Sequence, residues 1–247
     1  MSAQGSPMSA RHGTFLLLGL GAALCLALAS GPVAAHGIGQ SQAGFVASTA
    51  GGPWLLPWLY LGASHMLAGL DHLLFVLGLV LGLQGWRPLL RRITLFSLGH
   101  SLSLLLAVLG GVVVSAPLVD LVIGLSVLYT GLDNLGAWRS FFGVQPSDRW
   151  AAGGFGLVHG LGLAVSVQAL APPGDGLMLR LLAFNGGVEL GQLLALALMV
   201  VALWRCATWL APGARWNTAL NFGLMLAGTL LAMRQALLLW LPPGAMA

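Results

Sequence analysis

Residues 64–75 read S-H-M-L-A-G-L-D-H-L-L-F and lie inside an apolar run at 57–83. Ionisable groups in hydrocarbon each cost at least ~2.5 kcal/mol, so His65, Asp71 and His72 within one span need an account. On a continuous helix the seven-residue spacing returns the two imidazoles to nearly one face, about 10 Å apart along the axis. That geometry predicts two successive stations, His65 nearer the entrance and His72 nearer the centre, with Asp71 on an adjacent side to ligate or to orient a histidine.

The rest of the chain has the same character. Of 247 residues 58% are hydrophobic and 6% charged, and the mean hydropathy is +0.92. A soluble domain carries about 25% charged residues, so the composition predicts a polytopic membrane protein. The ten basic residues are all arginine and, Arg234 inside the last span apart, fall near the ends of apolar segments. Orientation in a bilayer explains them, and nucleic-acid binding does not. Cys25 and Cys206 offer no disulfide and no thiolate metal site.

Residues 1–35 begin polar with Arg11, continue through an apolar stretch from Thr14 to Ala29 and end S-G-P-V-A-A, the form of a secretory signal peptide. Cleavage after Ala35 would leave His36 as the new N-terminus, whose α-amine and imidazole can form one chelate ring. Residues 36–56 then read as an exported segment, 57–241 as a six-helix transmembrane domain and 242–247 as a short exported tail. The expected spans are 57–83, 92–114, 117–138, 150–171, 178–204 and 217–241, each of ~20 residues or more. The fold expected is all-α: a polytopic membrane helix bundle of six spans after removal of a signal peptide.

Arginines in the connections after the first, third and fifth spans place those loops in the cytoplasm, so both mature termini face the periplasm. Every loop is short, which leaves the bundle itself as the seat of function. Tryptophans 54, 58, 138, 150, 204, 216 and 240 sit near span ends and predict an interfacial belt.

Later spans carry further polar groups: G-H-S with His100, G-L-D-N-L-G with Asp133 and Asn134, F-G-L-V-H-G-L-G with His159, and F-N-G-G-V-E-L-G-Q with Asn185, Glu189 and Gln192. At 1.5 Å per residue, His72, His100, Asp133, His159 and Glu189 all fall near mid-bilayer. Any one of them alone is as readily a packing polar group as a ligand, but unrelated packing groups have no reason to share a depth. The expected metal set is His65, Asp71, His72, His100, His159 and Glu189, with His36 outside. Asp133, Asn134, Asn185, Gln192 and Ser101 are supporting polar groups. Histidines with carboxylates and no reactive cysteine suit a borderline divalent ion: nickel, cobalt, zinc or copper.

The pattern H-x-x-x-G-x-D-H at His65, Gly69, Asp71 and His72, followed by the motifs of the second, fourth and fifth spans, resembles the HupE/UreJ family of bacterial membrane proteins over about residues 57–195. Met66, where better-known members have proline, points to the second branch of that family. The resemblance implies a nickel or cobalt permease of the bacterial inner membrane, with His65, Asp71 and His72 contacting the ion. The expectation is a transporter and not an enzyme, with the lipid bilayer and the metal ion as partners, no nucleic acid, and homo-oligomerisation left open. Two other readings remain: a sensor or metalloenzyme-assembly factor without flux, and an intramembrane hydrolase using a metal-bound water.

Overall fold

A backbone in hydrocarbon must satisfy its own N–H and C=O groups, and each long apolar run accordingly forms a helix. The computed structural model describes residues 44, 55–82, 85–170, 174, 176–210 and 214–241. Among them are eight helices and no strand: α1 Leu56–Ala68, α2 Leu70–Gly82, α3 Trp86–Leu109, α4 Ala116–Asn134, α5 Ala137–Phe142, α6 Asp148–Leu170, α7 Leu177–Leu210 and α8 Ala214–Trp240. Five of these, α3, α4, α6, α7 and α8, are long and apolar enough to cross a membrane, and α1 with α2 makes a sixth span if the bent pair is counted as one. The protein is an all-helical, multi-pass membrane protein. The expected signal peptide at 1–35, His36 and the expected tail at 242–247 lie outside the described residues.

The first span departs from the continuous helix expected at 57–83. It breaks at Gly69, and α1 and α2 meet at 67°. Gly69 takes an extended conformation, φ −73° and ψ 102°. Its N–H still closes α1 on the His65 carbonyl at 2.9 Å, while its own carbonyl accepts from Leu73 at 3.1 Å and opens α2. Two half-helices thus end inside the bundle, with the negative end of α1 and the positive end of α2 facing the break.

Three helix pairs form the frame: α1 with α7, α3 with α6, and α4 with α8. Each is held by small residues at the crossing, the usual device where no hydrophobic effect drives helices together. A Cβ on Gly191 of α7 would lie 2.8 Å from the Ala63 carbonyl of α1. One on Gly99 of α3 would lie 3.0 Å from the Leu157 amide of α6, and one on Gly228 of α8 would lie 2.5 Å from the Leu128 amide of α4. The half-helix α2 packs among these pairs and buries Asp71, His72, Phe75, Val76, Gly78 and Leu79.

One end of the bundle is tied by asparagines. Asn134 of α4 donates to the Gly78 carbonyl of α2 and to Asn221 of α8, both at 2.8 Å. Asn221 in turn donates to Asn217, whose amide reaches the Leu81 carbonyl at 3.3 Å. Arg92 of α3, Asp133 of α4 and Ala151 of α6 line one small cavity, so the start of α3, the end of α4 and the start of α6 share this end. Trp86, Trp150, Trp204 and Trp240 are exposed at helix ends, with Arg87 over Trp86 and Arg205 over Trp204. Trp58 departs from the expected belt: it is buried, because the face of α1 that carries it packs into the core with Leu61 and Met66.

Candidate metal centre

The bend at Gly69 decides the geometry of the site. It folds the end of α1 toward the start of α2, and the His65 and His72 rings meet edge to face with centroids 5.0 Å apart. The expectation of two stations about 10 Å apart held only for a straight helix and is corrected. His100 of α3 completes a group in which one ligand nitrogen of each histidine lies within 4.8 Å of the others. All three are withdrawn from the surface, at 4%, 0% and 0% exposure for His65, His72 and His100.

Asp71, also buried, accepts a hydrogen bond from His72 Nδ1 at 3.2 Å. Because a carboxylate only accepts, this bond puts the proton on Nδ1 and leaves Nε2 as the nitrogen with a lone pair, the arrangement that orients metal-binding histidines. Asp71 sits in the first turn of α2, where the helix dipole favours a negative charge.

His159 of α6 stands beside the trio, its ring 5.1 Å from that of His72 and 4.9 Å from Phe96. Its Nδ1 donates to the Phe155 carbonyl at 2.7 Å, which again leaves Nε2 able to accept. Gly156 and Gly160, one turn apart and directly following Phe155 and His159, let α6 approach α3 closely enough for these rings to meet.

The other expected residues are distributed differently. Glu189 is exposed on α7 and accepts from Ser97 Oγ of α3 at 3.3 Å, while Asn185 and Gln192 on the same helix are buried. The expected single stripe divides because the three positions span about 60° of arc, and Glu189 occupies its outer edge. Asn185 donates to the Leu181 carbonyl of its own helix. Ser101 is half-buried beside His100.

Asp133 does not share the central depth. It lies one residue from the end of α4, where Gly136, at φ 69°, closes the helix by donating to the Asp133 carbonyl, the usual glycine stop. Its carboxylate accepts from Gln145 in the following loop at 2.7 Å. The glycines of G-L-D-N-L-G read as span interior, and one of them is the terminator. Asn134 is the helix-tying group described above.

The aromatic residues around the histidines were legible only as apolar. Phe75 stacks on Phe96 at 4.8 Å and meets Phe155 edge-on at 5.9 Å. Each lies three or four residues from a histidine of its own helix, a spacing indistinguishable from ordinary core.

Three buried imidazoles from three helices, with a carboxylate behind one of them, form a donor set suited to a borderline divalent metal. The family model described as HupE / UreJ protein matches residues 41–241 of the chain. Nothing matches the chain among curated proteins or solved structures. The chain belongs to the HupE/UreJ family, membrane proteins connected with nickel and cobalt.

Proposed function

We propose that this protein is a permease for a divalent transition-metal ion, nickel or cobalt, and carries it from the periplasm to the cytoplasm of a bacterial inner membrane. The observation behind this reading is the convergence of His65, His72 and His100 within 4.8 Å in the interior of a membrane bundle. Burying three imidazoles among apolar helices is costly unless their nitrogens are used, and a metal ion uses several at once.

The break at Gly69 supports the same reading, since discontinuous spans with half-helix ends at the site are the usual construction of ion sites in transporters. In this assignment the arginine-bearing end is cytoplasmic, and His36 belongs to the exported segment that first meets the ion. His65, Asp71, His72 and His100 form the central site, His159 adds a nearby imidazole, and Glu189 serves as a polar group at its edge.

Nickel binding to the purified protein, read by equilibrium dialysis, and nickel entry into proteoliposomes, read by a trapped metal-sensitive dye, test the proposal together. The expected result is one ion bound per chain, with saturable uptake that His72→Ala abolishes. Tight binding without flux would point to a sensor or assembly factor. Unaltered uptake in the His65→Ala/His72→Ala double variant would show that the ion travels elsewhere.

A further inference from the structure

On the arginine-bearing side of the histidines lies a cavity of about 20 Å³, lined among others by Phe75, Arg92, Tyr129, Asp133 and Phe155. That is room for a water molecule or a small ion. Phe75 belongs to both compartments: its ring forms part of the cavity wall, and it also packs beside the His159 ring, at 5.6 Å. Phe96, stacked on Phe75, touches His159 at 4.9 Å and His100 at 6.3 Å. Three rings from α2, α3 and α6 therefore form one apolar layer between buried nitrogen donors and a polar cavity.

Ordinary core packing explains three phenylalanines in contact, but it does not explain polar groups on both sides of a layer one ring thick. We propose that Phe75, with Phe96 and Phe155, is the inner gate through which a divalent transition-metal ion leaves the histidine centre, and that the Asp133 cavity receives it. The proposal rests on the permease reading and adds its route of release.

The physics is that of a hydrophobic constriction, which excludes an ion and its water until a side chain moves. Phe75 stands three residues after His72 on α2, so a shift of α2 as the ion binds moves ligand and gate together. Beyond the ring the ion meets Asp133 at the C-terminal end of α4, where carboxylate and helix dipole both favour a cation. Arg92 in the same cavity opposes tight retention, and conduction requires a station weak enough to leave.

The test compares wild type, Phe75→Ala, Phe75→Leu and Asp133→Asn, using nickel(II) in two assays: equilibrium binding in detergent and entry into dye-loaded proteoliposomes. Phe75→Ala is expected to keep wild-type nickel affinity, to raise downhill nickel flux about tenfold and to admit magnesium(II), as a widened constriction does. Asp133→Asn is expected to keep the affinity and lower the flux by about tenfold, the loss of one charge near the path. Phe75→Leu, a smaller change that preserves packing should the alanine variant fail to fold, is expected to raise flux by less.

Variants that bind and transport as wild type does would overturn the gate while leaving the permease standing. So would variants that lose binding and flux in parallel, which would make the layer a support for the site. A wild-type protein that binds nickel and passes none would instead remove the permease reading, and the gate with it.

Discussion

His65 and His72 are seven residues apart in sequence, and their rings are 5.0 Å apart in space, edge to face. A straight helix cannot produce that contact; a 67° bend at one glycine does.

Gly69→Ala tests how closely the bend is matched to the site. The backbone at φ −73° accepts alanine, but the added Cβ would lie 2.7 Å from His72 Nδ1 and 3.0 Å from Asp71 Oδ1. The methyl group must push the two side chains off their mutual hydrogen bond. Nickel affinity is expected to fall by about 10–100-fold, as when an orienting partner is lost, while circular dichroism shows an unchanged helix content.

Asp71→Asn removes the charge and keeps the volume. The amide still accepts from His72 Nδ1 but no longer stabilises a metal-bound imidazole by its charge. A drop of roughly 10–100-fold in nickel affinity is expected, read by equilibrium dialysis, and a fully wild-type affinity would remove Asp71 from the site.

Glu189→Gln separates the exposed carboxylate from the buried centre. Its bond to Ser97 is compatible with the neutral side chain, and Glu189 is not among the three clustered ligands. The number of nickel ions bound per chain should be unchanged; loss of the bound ion would return Glu189 to the ligand set.

Acidification should release the ion. Each ligating imidazole must be neutral, so protons and metal compete for the same nitrogens. Nickel affinity is expected to decrease steadily as pH falls and to recover when pH is restored. A titration with no pH dependence would exclude histidine ligation.

Gly160→Val tests the frame. A side chain there would meet the His100 carbonyl and the Ser103 hydroxyl of α3, forcing apart the two helices that hold His100 and His159. Overpacking of this kind costs about 1–3 kcal/mol. The expected outcomes are earlier thermal unfolding in detergent micelles and weaker nickel binding in the same protein.

The class of protein was legible without coordinates because it depends on composition. Few charges, long apolar runs and arginines at their ends follow from the cost of placing polar groups in hydrocarbon, which acts on every residue separately. The candidate residues His65, Asp71, His72, His100 and His159 stood out for the same reason, each being expensive where it is. Asn134 was legible as a supporting polar group, and the structure makes it a tie between helices.

What the sequence left undetermined was relative position, because distance across a bundle depends on bends and crossings that no single residue specifies. Gly69 looks like any of the 36 glycines in the chain, yet its extended backbone turns two stations into one cluster. Gly136 ended a helix that periodicity alone would have continued, and so placed Asp133 at a cavity and not at the centre. The division of Asn185, Glu189 and Gln192 between core and surface followed from the crossing of α1 over α7, where Gly62, Gly187 and Gly191 bring the backbones together. Residue chemistry determined which groups are present; the close approach of helices through small residues decided which of them meet.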